Sequence, residues 1–91
     1  MCTYLNEVLA LEGSGKGPGG WFRLTTASVS FDHPVHAPAD HTLNIDFLAP
    51  AQGPAARVAV ELDAGSARAL AHAILRVLET APAELLHHSR D

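Results

Sequence analysis

Three histidines near the middle of the chain are the residues best suited to carry out chemistry. His33, His36 and His41 all lie within Asp32–Phe47, which reads DHPVHAPADHTLNIDF. An imidazole binds transition metals through a ring nitrogen, and it also exchanges protons near neutral pH. This stretch is therefore the candidate site, provided that the fold brings the rings together.

Three imidazoles would supply the ligands for a divalent transition metal such as Zn, Cu, Ni or Fe. Alternatively, Asp63 or Asp40 could complete a set of two histidines and one carboxylate. The spacing H-x-x-H-x4-H matches no specific metal motif, so a metal-free pocket or a structural role stays open. In a metal-free pocket His33 or His41 would be the catalytic base, and Asp32 or Asp40 would orient it.

The alternation of apolar and polar residues predicts the elements that position these histidines. It indicates four strands, at Cys2–Glu12, Trp21–His33, His41–Leu48 and Arg57–Asp63. Between them, the glycine-rich segment 13–20 and the segment 50–56, which reads PAQGPAA, are predicted as turns.

A helix is predicted after the fourth strand. Apolar residues repeat at helical spacing from Ala67 to Leu78, Asp63 or Ser66 can cap the N-terminus, and Pro82 ends the helix. The connections between strands are too short for crossover helices. The expected fold is therefore α+β: a four-stranded antiparallel meander with one C-terminal helix on its apolar face (ββββα). Residues 1–80 would form a single domain, and residues 81–91 a tail with at most one more turn.

In such a meander, the end of the second strand and the start of the third share one rim of the sheet. The register that sets His33 opposite His41 also aligns three apolar pairs: Phe31–Leu43, Val29–Ile45 and Ala27–Phe47. Apolar pairing on one face is how a register is normally specified. Directly opposed residues have Cβ atoms about 4.5–5.5 Å apart, close enough for two imidazoles to meet.

Composition excludes several classes of protein. The net charge is −4 and the six Lys and Arg residues are scattered, so no nucleic-acid footprint is present. No apolar run is long enough to span a bilayer, and no secretory signal is recognisable. The single cysteine, Cys2, is compatible with a reducing cytoplasm and is an outside candidate for a ligand. A chain of 91 residues buries a limited core, which favours a homodimer or higher homo-oligomer.

The segment GSGKG (13–17) has some likeness to a phosphate-binding loop. That pattern requires a glycine five positions before the Gly-Lys pair and a Ser or Thr after it. Here Ala10 and Gly17 occupy those positions. A flexible hairpin loop is the better interpretation.

Three segments, MCTY, GSGKGPGGWF and DHPVHAPADHTLNIDF, resemble a family of small uncharacterised bacterial proteins, a domain of unknown function. The resemblance runs from Met1 to about Leu78. It implies a stand-alone cytoplasmic protein and brings no activity or ligand set with it.

The leading hypothesis is a cytoplasmic protein whose histidine-lined pocket binds a divalent transition metal. That pocket would support proton transfer or cyclisation on a small organic molecule. One alternative is a non-enzymatic, homo-oligomeric module that binds a small molecule or another protein. A second alternative is a metal-free, histidine-dependent isomerase or cyclase.

Overall fold

The computed structural model describes residues 5–86, which form one antiparallel sheet and one long helix. The elements are β1 (Asn6–Gly17), β2 (Gly20–Asp32), β3 (Thr42–Leu48), β4 (Arg57–Leu62) and α1 (Ala64–Thr80). Single 3₁₀ turns follow β3 and α1, at Pro50–Gln52 and Ala83–Leu85. The strands lie in the order β1-β2-β3-β4. The predicted α+β fold, ββββα, is confirmed.

The predicted register between β2 and β3 is also confirmed. The three predicted apolar pairs form as expected: Phe31–Leu43, Val29–Ile45 and Ala27–Phe47. On the same face, Leu9 pairs with Ala27, and Ile45 and Phe47 pair with Val60 and Val58. This apolar face therefore spans all four strands.

The prediction of a turn over residues 13–20 is wrong, because β1 continues through the glycines to Gly17. A bulge between Ala10 and Gly13 shifts the register, and beyond it the strand bends toward β4. A Cβ atom on Gly15 would lie only 2.7 Å from the Cδ2 atom of the buried Leu24. The glycines are thus needed for close packing within a strand.

Helix α1 begins and ends where the sequence indicates. The Asp63 carboxylate accepts a hydrogen bond from the Ser66 amide at 2.7 Å, which confirms Asp63 as the N-cap. This bond lowers the pKa of Asp63. Ala81, which precedes Pro82, is extended and terminates the helix.

Few of the described side chains are buried. The core consists of Leu24, Ala27, Ala49 and Ala56, together with Thr42, whose hydroxyl donates to the Asn44 side chain at 2.6 Å. No residue of α1 is buried, although the helix lies over the apolar face. The helix and the sheet are therefore loosely joined within one copy of the chain.

Candidate functional site

The end of β2, the start of β3 and the end of β4 meet at one end of the sheet, because Asp32 pairs with Thr42 and Leu43 pairs with Leu62. We call this end, together with the connecting loop 33–41, the histidine rim. It is the place where the sequence predicted the candidate site.

The structure brings His33 and His41 into contact. Their ring centres lie 4.6 Å apart, with the rings at 76° to each other, so the edge of one imidazole faces the other. His41 also stacks on Phe31, with ring centres 5.7 Å apart and an angle of 19°. Both histidines are exposed. The pair is thus available to a ligand while Phe31 supports one ring from the sheet.

Asp32 is the carboxylate beside this pair. Its Oδ1 atom accepts a hydrogen bond from the His33 amide at 2.7 Å and lies 3.5 Å from the His33 Nδ1 atom. The aspartate can therefore favour one orientation of the His33 ring.

Glu61, near the end of β4, holds the loop of the histidine rim. Its carboxylate accepts from three successive amides, with shortest distances of 2.6 Å to Val35, 3.1 Å to His36 and 2.8 Å to Ala37. Such a run of N–H groups forms an anion-binding concavity. These hydrogen bonds, first those from Val35 and Ala37, lower the pKa of Glu61. Glu61 is therefore ionised at neutral pH, and its carboxylate holds the loop through these hydrogen bonds.

His36 does not join the other two histidines. Glu61 belongs to the polar face of the sheet, since it pairs with Asn44, whereas His41 stacks on Phe31, which belongs to the apolar face. The loop backbone at His36 is drawn toward Glu61. Across residues 5–86, no three His, Cys, Asp or Glu side chains are grouped so that they could hold a metal.

The other predicted metal ligands are Asp63, Asp40 and Cys2. Asp63 caps α1 through Ser66, and Asp40 is an exposed loop residue outside any such group in the described part of the chain. Cys2 lies outside the described residues.

An apolar groove begins directly beside the histidine pair. It lies between the sheet and α1 and has a volume of about 570 Å³. Its floor is formed by Val29, Phe31, Leu43, Ile45 and Leu62. Since Phe31 lines the groove and stacks on His41, the imidazoles stand at the end of an apolar cleft.

The helix side of the groove carries one charged residue, Arg68, among Ala67, Leu70 and Ile74. Arg68 lies in the second turn of α1, near the point where the helix leaves β4 at the histidine rim. Arg68, which lines the groove, and the two imidazoles beside Phe31 are therefore found toward the same end of it. The arrangement suits a ligand with an apolar body and one anionic or hydrogen-bonding group.

Sequence reasoning identified His33 and His41 but missed Glu61 and the groove. The signal for Glu61 was present, since alternation puts this carboxylate on the polar face near the end of the fourth strand. The prolines at 34 and 38 leave the intervening loop amides without partners in the sheet. A carboxylate at that rim is the nearest acceptor for them.

Within residues 5–86, no helix has the length and apolar character required to span a membrane. Neither the curated proteins nor the solved structures contain a significant match to this chain. A family model does match, and it covers residues 1–87. The chain therefore belongs to a family of unknown function, DUF6295.

Proposed function

We propose that the protein binds a small organic molecule in the groove between α1 and the sheet, with His33 and His41 as its polar contacts. The observation that carries this proposal is the stacking of His41 on Phe31, which joins the imidazole pair to an apolar cleft. Clefts of about 300–1,000 Å³ with apolar walls and a few polar groups are typical ligand sites.

The ligand would be an apolar molecule with one carboxylate or similar group. Its body would lie against Val29 and Ile45, and its anionic group would face Arg68 and the histidines. In this position an imidazole could accept a proton from the bound molecule, which is the step required of an isomerase or cyclase. The proposal includes a cytoplasmic location, which the single cysteine of the chain supports.

Calorimetric titration with 2-naphthoate tests binding, because this probe combines a flat apolar body with a carboxylate. We expect saturable binding that weakens roughly 10- to 100-fold in His41→Phe, since a hydrogen bond to a charged group contributes about 1.5–3 kcal/mol. The phenylalanine keeps an aromatic ring against Phe31 but removes both nitrogens.

The matched control is His72→Phe, because His72 is an exposed histidine of α1 that does not line the groove. This change should leave the affinity for 2-naphthoate unaltered. Equal effects of the two substitutions, or no binding by the unaltered chain, would contradict the proposal.

A divalent transition metal held by His33 and His41 is the second candidate, and the spacing of their rings favours it. With metal–nitrogen bonds of about 2.1 Å, two imidazoles on one ion place their ring centres roughly 4.6–5.4 Å apart. The observed 4.6 Å falls within that range. Water or the bound molecule would then occupy the remaining coordination positions.

Elemental analysis of protein purified without a metal-affinity tag tests this second candidate. We expect one Zn, Cu, Ni or Fe ion per histidine pair, lost in His33→Ala. A metal content at trace level, with no uptake of added Zn by the folded protein, would exclude this second candidate. The proposal that an organic molecule binds in the groove would not be affected.

A further inference from the structure

Helix α1 leaves much of its apolar surface uncovered. Five of its large apolar side chains are between 46% and 67% exposed: Leu70, Ile74, Leu75, Val77 and Leu78. A helix in a folded monomer normally buries its apolar stripe against the core. In this chain that burial is incomplete.

The sheet is too wide for one helix. Four strands spaced about 4.8 Å apart present a face roughly 19 Å across, whereas a helix with its side chains is about 10 Å in diameter. Among the strands, α1 lies closest to β3, so the half of the apolar face formed by β1 and β2 receives little cover.

A second hollow marks this open half. It has a volume of about 480 Å³ and is lined by Leu5 and Glu7 next to Val29 and Phe31, with no residue contributed by α1. Leu5 and Leu9, on the same face, are 56% and 42% exposed. An apolar surface of this kind marks an interaction site.

The amount of exposed surface exceeds what a dimer requires. The chain has an accessible surface of 6975 Å². A compact monomer of 9.6 kDa exposes about 5,100 Å². The surplus of roughly 1,900 Å² is more than twice the roughly 800 Å² that each partner contributes to a standard interface. Half of the surplus would suffice.

We propose that two copies of the chain associate through their apolar faces, with α1 of each copy covering the β1–β2 half of the other. Each chain carries both the helix surface and the open half of the sheet. A two-fold axis therefore lets the helix of each copy cover the sheet of the other at the same time. Charge also agrees, because Glu7 is the acidic residue of the open half and Arg68 borders the apolar stripe of α1.

This arrangement would enclose the groove beside His41, since Phe31 and Leu43 line both hollows. The association itself requires no ligand. A failure of the dimer and a failure of ligand binding are therefore separate results, the first seen in solution mass and the second in the titration with 2-naphthoate.

Sedimentation equilibrium of the full chain tests the dimer. We expect a mass of about 19 kDa, twice the 9.6 kDa of the chain. The substitution Val77→Asp would place an unpaired charge in the interface and weaken association roughly 100-fold or more. Val77 is 67% exposed, so the fold of each copy should survive the change.

Val8→Asp is the matched control. Val8 is 64% exposed but lies on the polar face, paired with Ser28. The Val8→Asp variant should therefore remain dimeric. A monomeric unaltered chain overturns the proposal, as do equal masses for the two variants or a monomer in Val8→Asp alone.

Isotope-filtered NMR on a dimer of one labelled and one unlabelled copy provides a measurement that needs no variant. Contacts between the Val77 or Leu70 methyl groups of one copy and the Leu9 methyl groups of the other would support the arrangement. Intermolecular contacts confined to the edge of β1 or to the polar face would overturn it.

Discussion

The two ends of the sheet are built in opposite ways. At the glycine end, β1 has no side chains at Gly15 and Gly17, and the strand approaches β4 so closely that a Cβ on Gly17 would lie 3.2 Å from the Arg57 carbonyl oxygen. At the histidine rim, the Glu61 side chain holds the loop and leaves His33 and His41 exposed. At the glycine end, the absence of side chains allows the strands to pack closely. At the histidine rim, a side chain holds the loop and the two imidazoles stay accessible.

This comparison separates glycines that serve packing from histidines that we propose to bind a ligand. The GSGKG segment has the composition of an anion-binding loop, yet it is part of a strand that packs on Leu24. The anion-binding concavity lies instead at the histidine rim, where amides 35–37 bind the chain's own Glu61.

The largest effect is expected at the glycine end. Gly15→Ala should lower the free energy of unfolding by about 1–3 kcal/mol, because the added methyl overpacks the contact with Leu24. Urea denaturation measures this change. Gly19→Ala is the control, since a Cβ there meets nothing within 4 Å. Equal stabilities of the two variants would show that β1 does not pack closely at this end.

At the histidine rim, Glu61→Gln should release the loop without unfolding the sheet. Loss of the charge weakens three hydrogen bonds at once, so amide hydrogen exchange at Val35, His36 and Ala37 should accelerate on the order of tenfold. Glu12→Gln, at an exposed position of β1 that lines neither hollow, is the control and should leave these amides unchanged. Unaltered exchange in Glu61→Gln would mean that the loop is held by other contacts.

Acid should have the same local effect as that substitution. The folded-state pKa of Glu61 is lowered, so its contribution to stability is present above the ordinary carboxyl pKa and disappears as the pH falls through the lowered value. The NMR shift of the Glu61 side-chain carboxyl carbon should therefore be constant from pH 7 through the ordinary carboxyl range and change only below it. A change that begins at or above that range would exclude the ionised Glu61 as the anchor.

The smallest effect is expected for the ion pair between β3 and β4. The Arg57 Nη2 atom lies 2.7 Å from the Asp46 Oδ1 atom, but both side chains are accessible to water. Arg57→Gln should cost about 0.2–1 kcal/mol in the free energy of unfolding, decreasing with added salt. A loss larger than that of Gly15→Ala would mean that this ion pair stabilises the sheet more than the close packing at the glycine end does.

Strand order, the register of β2 and β3 and the start of α1 could be predicted because each depends on a local pattern. The register follows from alternation: a slip by one residue would turn Phe31 and Leu43 to the polar face. The contact of His33 with His41 follows from the same register. Asp63 was recognisable as a cap because an aspartate preceded the helical pattern.

What could not be predicted depends on contacts between distant segments. The extension of β1 through Gly17 results from packing on Leu24 and Val58, which no local propensity of glycine reveals. The separation of His36 from the other histidines results from the hydrogen bond that its backbone amide donates to Glu61, 25 residues away. The exposed side of α1 could not be foreseen, since an apolar stripe looks the same whether or not the sheet beneath it is wide enough to bury it.

The most direct test of the histidine rim as a binding site is NMR of the imidazole nitrogens of His33 and His41 during titration with 2-naphthoate. We expect saturable shifts at both histidines, in parallel with the methyl groups of Val29 and Ile45 in the groove and with none at His72. Shifts at the groove methyl groups without any at the two imidazoles would contradict a binding site at the histidine rim.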